Sequence, residues 1–216
     1  MKALTILLAG LFLAMPVWAT DLTSVEFESA DPRLADGYNV AVDQLMDELM
    51  VVGKGVDGSE LFRIIPYPLE LVALQLQAEI HSRNVTDEIE IETMVSQANM
   101  DKPGSNWFAF LVDGESEWVN SDIAMYYIWR EGGDPEPVDI TAVHNFDNGD
   151  GTGYALYVLY VEDRGKMIDF MTAYSMGITL TREIPATAET QAGVEKIDLD
   201  CSHWREFTIF DIDYEE

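Results

Sequence analysis

The sequence predicts a mainly β protein of the α+β class. We expect an antiparallel β-sandwich or barrel-like sheet of about eight strands, with one N-terminal helix packed on it. First, Val138–Tyr174 reads as three consecutive strands separated by two turns. Second, alternating or apolar runs bounded by Gly, Pro, Asn and Asp recur at hairpin spacing. Third, the clearest helical periodicity lies near the N-terminus.

The middle strand of Val138–Tyr174 is apolar on both of its sides. Side chains alternate between the two faces of a strand, which gives two apolar sets here. One set is Tyr154, Leu156, Val158 and Tyr160, and the other is Ala155, Tyr157, Leu159 and Val161. We therefore expect this strand to be covered on both faces, which requires a second layer.

Residues 1–19 have the pattern of a secretory signal peptide. A positive start at Lys2 is followed by an apolar stretch over 3–17, and Val17-Trp18-Ala19 suits cleavage after Ala19. The apolar stretch is too short to span a bilayer comfortably, and no later run reaches about 18 apolar residues. The pattern predicts a periplasmic or secreted protein of a Gram-negative bacterium, with no integral membrane segment and one β-rich domain over 20–216.

The predicted helix covers about residues 32–52. Asp31 suits the N-cap and Pro32 the first helical position. An apolar stripe follows at spacings of three and four: Leu34, Tyr38, Ala41, Leu45, Leu49 and Val52.

The segment Leu69–His81 fits helical and strand templates almost equally, and its neighbour decides between them. In Leu69–His81, apolar residues recur at helical spacing, but Leu74, Leu76, Ala78 and Ile80 also alternate with polar residues. Glu88–Gln97 alternates cleanly, with Ile89, Ile91, Thr93 and Val95 on one face. We therefore predict two antiparallel strands here. The remaining predictions are a connector over 56–68, a short exposed strand or loop over 115–120, and strands over 106–112, 121–130, 177–183, 195–201 and 205–214.

The net charge excludes some classes of partner. The chain has 40 acidic and 12 basic residues, a formal charge of −28. Such a surface repels nucleic acid and anionic lipid headgroups. The acidic residues are scattered, which is typical of a general solvated surface; attraction to a basic protein partner or to divalent cations is the alternative.

One loop has the composition of a cation site. Asp147, Asn148 and Asp150 bring hard oxygen ligands together among glycines, as Ca²⁺ requires. The register does not match an EF-hand, and Asn-Gly and Asp-Gly are also strong hairpin-turn signals. Both a Ca²⁺ site and a plain hairpin turn remain open, and His144 is the residue best placed to complete a metal site.

No combination of residues predicts catalysis, and we assign no catalytic or cofactor-binding residue. Cys201 is the single cysteine, so an internal disulfide is excluded. His203 lies two positions later, but Asp198 and Asp200 would raise the thiol pKa and disfavour a nucleophile, so we expect a buried structural cysteine. The pair Asp211 and Asp213 is the kind of carboxylate pair that glycosidases use.

Three functional hypotheses follow. The first is an exported non-enzymatic β-rich binding or envelope protein. The second is an acidic inhibitor or adaptor of a basic protein, marked by an acidic loop with an exposed aromatic side chain beside it. The third is a hydrolase that uses carboxylates or a cation at Asp147–Asp150, which requires that loop to lie in a concave pocket. The sequence assigns neither a ligand, a known family nor an oligomeric state.

The signal-peptide prediction is checked by the mass of the exported protein. We expect the mature chain to begin at Thr20, because signal peptidase requires small side chains at the cleavage site. Replacing Ala19 by Arg should leave an uncleaved precursor, detected by intact-mass spectrometry. An exported wild-type protein that retains Met1 would contradict the prediction.

Overall fold

A computed structural model describes residues 22, 25–100, 107–160, 172–184 and 192–207. These residues form α-helices α1 (Ala35–Leu49), α2 (Leu69–Ser82), α3 (Glu88–Met100) and α4 (Ser116–Val119). The strands are β1 (Val51–Lys54), β2 (Glu60–Pro66), β3 (Trp107–Glu115), β4 (Asp122–Ile128), β5 (Pro135–Val138), β6 (Ile140–Asp147), β7 (Thr152–Tyr160), β8 (Ser175–Ile184) and β9 (Gly193–Asp200). A 3₁₀ helix spans Ser202–Glu206.

The described strands form two antiparallel sheets, which confirms the predicted fold class. Sheet A has the order β1-β2-β3-β7-β6, and sheet B has the order β5-β4-β8-β9. The chain divides into two compact units. The β unit, formed by the described residues within 49–66 and 106–206, contains both sheets in a sandwich-like arrangement. The helical unit is formed by the described residues within 1–48 and 67–105, with residue 207. No helix in the described ranges is long and apolar enough to cross a membrane.

Sheet A buries one face of its two central strands. Phe108, Phe110 and Val112 of β3 are fully buried, as are Ala155 and Leu159 of β7. The opposite face of β7 carries Tyr154, Leu156 and Val158, all half-buried. Of the cover expected on both faces of β7, the structure shows burial of one face and half-burial of the other among the described residues.

The 3₁₀ helix packs in the β unit against Leu49, two residues before β1. Trp204 is fully buried, and its indole Nε1 donates a 2.7 Å hydrogen bond to the carbonyl oxygen of Leu49. The Trp204 ring centroid lies 5.6 Å from that of Phe108 and 6.4 Å from that of Phe110. This indole needs a partner because a buried N–H without a hydrogen bond is costly.

The two predicted strands at 69–81 and 88–97 are helices α2 and α3, so these two predictions were wrong. Ile91 and Val95, four residues apart, are buried, whereas Ile89 is 74% exposed. A strand would have placed all three on one face. Asp87 accepts hydrogen bonds from the backbone N–H groups of Ile89 and Glu90 at 2.8 and 3.3 Å, so it caps α3.

Helices α2 and α3 bury one apolar cluster between them. In a helix, the apolar residues of each segment lie on one side and can be buried together. The two segments therefore fold as helices although their sequences also alternate as strands do. The cluster comprises Leu22, Leu69, Ala73, Leu76, Ile80, Val85, Ile91 and Val95.

Helix α1 lies inside the predicted span of 32–52 and ends at Leu49. Its apolar stripe packs against α2, where Tyr38 joins Leu74 and Ala78 in a buried cluster. Val52 belongs to β1, and the segment 56–68, predicted to be a connector, contains β2.

Two shorter predictions also differ from the structure. Within 115–120, where an exposed strand or loop was expected, residues Ser116–Val119 form helix α4, and its Trp118 and Val119 are buried. Arg205 lies in the 3₁₀ helix instead of a strand, and its guanidinium Nε donates to the carbonyl oxygen of Ser202 at 2.8 Å. Residues 161–171 and 208–216, which cover most of two further predicted strands, lie outside the described residues.

Two side chains of α2 hold the extended segment that precedes α1. Gln77 Oε1 accepts from the Glu28 backbone N–H, and Gln77 Nε2 donates to the Glu28 carbonyl, both at 2.9 Å. His81 Nδ1 accepts from the Asp31 backbone N–H at 2.9 Å, and the His81 ring lies 4.6 Å from that of Tyr38. His81 is 1% exposed, so its acceptor nitrogen is a structural group inside the helical unit.

This contact predicts a pH-dependent stability. Burial lowers the pKa of His81 below its ordinary value of 6.5, while the negative charges of Glu28 and Asp31 act in the opposite direction. The unfolded chain therefore binds a proton at a higher pH than the folded chain does. The free energy of unfolding should be highest above pH 6.5 and should fall as the pH drops below that value.

The measurement is urea unfolding followed by far-UV circular dichroism at about pH 7.5 and 5.5, above the range in which ordinary carboxylates titrate. We expect the wild-type midpoint to fall over this interval. His81→Asn keeps an acceptor but does not titrate, so its midpoint should fall less. An equal fall in both proteins would assign the effect to other groups.

Candidate functional site

The candidate site is the end of the β6–β7 hairpin in the β unit. Ala142 pairs with Tyr157, but His144 pairs with Leu156, so Val143 is an extra residue in β6 and forms a β-bulge. The bulge shifts the pairing by one residue and places Phe146 opposite Tyr154. Without it, Phe146 would lie opposite Gly153 and would lack an aromatic neighbour.

Three rings on this hairpin form what we call the aromatic strip: His144, Phe146 and Tyr154. Phe146 stacks on Tyr154 with a centroid distance of 5.3 Å, and His144 lies 5.7 Å from the same ring. Phe146 is 47% exposed although it is a large apolar residue. An aromatic side chain that is both fixed by a neighbour and open to solvent is well suited to binding another molecule.

Beside the strip lies what we call the acidic turn, Asp147–Gly151. Asp147 Oδ1 accepts from the Gly149 backbone N–H at 2.8 Å. Asp150 Oδ1 accepts from the backbone N–H and the hydroxyl of Thr152 at 3.0 and 2.6 Å. The hydrogen bond from the Thr152 hydroxyl, followed by the one from its backbone N–H, lowers the pKa of Asp150, so this carboxylate remains charged at neutral pH.

The turn needs glycine at two positions. Gly149 and Gly151 have φ angles of +78° and +90°, in the left-handed region that other residues disfavour. Both carboxylates therefore belong to a tightly folded hairpin connection, as the Asn-Gly and Asp-Gly signals predicted.

Helix α4 holds the acidic turn from the side. The Ser116 backbone N–H donates to the Gly151 carbonyl at 2.9 Å, and the Ser116 hydroxyl lies 3.4 Å from Asp147 Oδ1. Asn145 Nδ2 donates to Asn120 Oδ1 at 2.7 Å. These contacts fix the geometry of the hairpin end before any partner arrives, which reduces the entropy cost of binding.

Some oxygens of the predicted metal site already take part in the turn. Asp147 Oδ1 and Asp150 Oδ1 accept its hydrogen bonds, so a cation would share these oxygens or bind through Oδ2. Asn148 Nδ2 donates to the Thr152 hydroxyl at 2.9 Å, which leaves Asn148 Oδ1 as its ligand atom. Within the described residues, no three His, Cys, Asp or Glu side chains form a group able to hold a metal ion. The Ca²⁺ site at Asp147, Asn148 and Asp150 stays a prediction.

His144 does not join the carboxylates of the turn. The register pairs His144 with Leu156 and Asp147 with Gly153, three positions apart on each strand. Residues an odd number of positions apart point to opposite faces. His144 instead belongs to the aromatic strip.

Cys201 and His203 are separated by their secondary structure. Cys201 is fully buried, and this burial, followed by the charge of Asp200, raises the pKa of its thiol. His203 lies in the 3₁₀ helix, where its Nε2 is 3.3 Å from the Leu49 carbonyl oxygen. The expected buried cysteine is confirmed. Asp211 and Asp213 lie outside the described residues.

The aromatic-rich middle of the sequence is mostly core. Trp118 is fully buried with its ring under the Arg182 guanidinium, whose central carbon lies 4.6 Å from the ring centroid. Tyr127 is buried, and its hydroxyl donates to Glu136 at 2.9 Å. Tyr126 lies across Gly177, which offers space because it has no side chain. The exposed strip on β6 and β7 escaped the sequence analysis because the bulge creates it.

No protein-family model matches the chain, and no curated protein matches it. Among solved structures, the chain is similar to a protein of unknown function from Burkholderia pseudomallei. That similarity has 11% sequence identity and a TM-score of 0.47, and it covers 84% of this chain and 92% of the other. A likeness this distant supports no conclusion about function.

The calcium hypothesis has a direct test. If the acidic turn binds Ca²⁺ with a dissociation constant of about 1 mM, then about 10 mM Ca²⁺ stabilises the fold by about 1.4 kcal/mol. The melting temperature would then rise by about 3–6 °C.

The matched control is Asp147→Asn combined with Asp150→Asn, in which the rise should disappear. Mg²⁺ at the same concentration controls for ionic strength. A wild-type melting temperature that does not change with Ca²⁺ would remove the metal site.

Proposed function

We propose that this chain is an exported, non-enzymatic binding protein that engages a basic protein partner through the end of its β6–β7 hairpin. The observation that carries the proposal is the aromatic strip beside the acidic turn. The combination of Phe146 with Asp147 and Asp150 is the one expected of an acidic inhibitor or adaptor. Export rests on the signal-peptide pattern of residues 1–19.

Apolar contact supplies most of the affinity in this proposal. Phe146 is 47% exposed and stacks on Tyr154, so its rotamer is restrained before binding. Burial of an exposed aromatic anchor at the centre of an interface is worth about 2 kcal/mol or more. The hydrogen bonds from Ser116 and Asn145 keep the anchor's surroundings fixed.

The negative charges of this chain determine which partners it attracts and how fast they associate with it. The formal net charge of −28 attracts a basic protein over a distance of about one Debye length, and the acidic turn places two carboxylates at the hairpin end, on the rim of the contact. Exposed charges at an interface rim affect the association rate and salt dependence more than the dissociation rate. Binding by charge alone would disappear at moderate salt, whereas binding anchored by Phe146 should persist.

The hydrolase hypothesis receives less support from the same geometry. A carboxylate-dependent hydrolase needs its acids in a concave pocket that encloses the substrate. Residues 147–152 are all exposed at a hairpin turn, and their side chains hydrogen-bond within that turn. We therefore propose that the acidic turn contributes to binding the partner protein and takes no part in hydrolysis.

Site-specific photocrosslinking in the host cell tests the proposal. Phe146 is replaced by p-benzoylphenylalanine, and Val194, a 67% exposed residue on β9, is replaced in a second protein as the matched control. We expect a covalent adduct with a basic protein at position 146 and none with that protein at 194. An adduct that forms equally at both positions, an acidic partner, or the absence of any adduct at 146 would contradict the proposal.

The partner identified in this way is then measured quantitatively. Phe146→Ala should raise the dissociation constant by about tenfold or more, because the anchor is lost. Val194→Ala should leave it unchanged. Asp147→Asn with Asp150→Asn should slow association and reduce the salt dependence.

A further inference from the structure

The sheet edges of this protein are not protected equally. A strand at a sheet edge leaves backbone N–H and C=O groups available for pairing with another chain. Among the described strands, sheet A ends at β1 and β6, and sheet B ends at β5 and β9. Natural proteins usually block such edges with short strands, proline, lysine or a covering element.

Three of the four edge strands, β1, β5 and β9, have such a protective feature. β1 has only four residues, and it contacts β9, so these two edges lie against each other. β5 contains Pro135 and Pro137, which have no N–H to offer. β9 contains the exposed Lys196.

β6 is a long edge strand, and no described strand pairs with its outer edge. Its eight residues contain neither proline nor lysine, and Thr141–Asp147 are all exposed. Val143, the bulged residue, is 52% exposed. The bulge bends the strand but leaves His144–Asp147, the part next to the acidic turn, paired with β7 in regular register.

We propose that β6 receives an extended segment of the basic partner as an additional strand of sheet A. This inference rests on the proposed function and specifies its mode of binding. Backbone hydrogen bonds to the β6 edge supply affinity, and the side chains of the added strand that face the aromatic strip supply selectivity.

The charges at the two ends of β6 define the partner segment. Asp139 is exposed before the strand begins, and Asp147 is exposed where it ends. At about 3.3 Å per residue, the two carboxylates are about 25 Å apart along the strand. A segment of about eight residues with Lys or Arg at both ends and apolar side chains between them matches this spacing. A second copy of this chain would bring like charges together at both ends, so self-pairing is disfavoured.

The test separates backbone pairing from side-chain attraction. The probe is a synthetic peptide of about eight residues with Lys at each end and alternating Val and Thr between them. Alternate backbone amides of a strand point to its two opposite edges. A second peptide carries N-methyl groups on the amides of one edge, a third on the amides of the other edge, and a fourth on both. Their charges and side chains are identical, and binding to the full mature chain is measured by titration calorimetry.

We expect the unmodified peptide to bind and the doubly methylated peptide to bind about tenfold or more weakly, because it loses two or three backbone hydrogen bonds. At least one singly methylated peptide should retain the unmodified affinity, since a strand uses only one edge to pair. Hydrogen exchange of β6 amides should slow when the unmodified peptide is present. A peptide with Glu in place of both Lys residues should not bind.

Equal affinity of all the Lys peptides would overturn strand addition. No binding of the unmodified peptide would overturn it as well. Neither result would contradict the proposed function if the crosslinked basic partner still needed Phe146 for binding. The two proposals can therefore fail separately. A concentration-dependent dimer of the chain alone, seen by light scattering and abolished by Thr141→Lys at the β6 edge, would identify a second copy as the occupant and would also overturn the proposal.

Discussion

The pairing of β3 with β7 is the constraint on which the β unit depends. The two strands pair over nine positions, from Trp107 with Tyr160 to Glu115 with Thr152. Phe110 lies opposite Tyr157 in this register, and their rings stack with centroids 5.4 Å apart. A shift of one residue would move every buried side chain of β7 to the other face. The same register fixes where β6 attaches, and hence where the aromatic strip and the acidic turn lie.

The part of the fold that could be predicted from the sequence is the part in which local signals agree. In β6 and β7, strand propensity, apolar content and the Asn-Gly and Asp-Gly turn signals all favour a hairpin. In 88–97, the alternation of Ile89 and Ile91 favoured a strand, and the capping residue Asp87 followed three positions later by Glu90 favoured a helix. Tertiary packing decided between them, because only the helix buries Ile91 and Val95 with the side chains of α2.

The candidate site was predicted only in outline, for a related reason. The composition of Asp147–Gly151 indicated a tight turn with carboxylates, which is what the structure contains. The aromatic strip depends on the bulge at Val143, and an alternating pattern does not show where an extra residue enters a strand. The open edge of β6 likewise depends on strand order, which no local signal specifies.

The hydrogen bond between Trp204 and the Leu49 carbonyl has a consequence for how the chain matures. The two residues are separated by 155 positions, and Trp204 also completes the packing on Phe108 and Phe110. The β unit therefore cannot finish folding until the region around residue 204 has been synthesised, and contacts of such long sequence separation form slowly. A nascent chain that folds late stays unfolded for longer, and only an unfolded chain can pass through a narrow translocation channel. Under the proposed export, this late step would leave the β unit unfolded while the chain crosses the membrane.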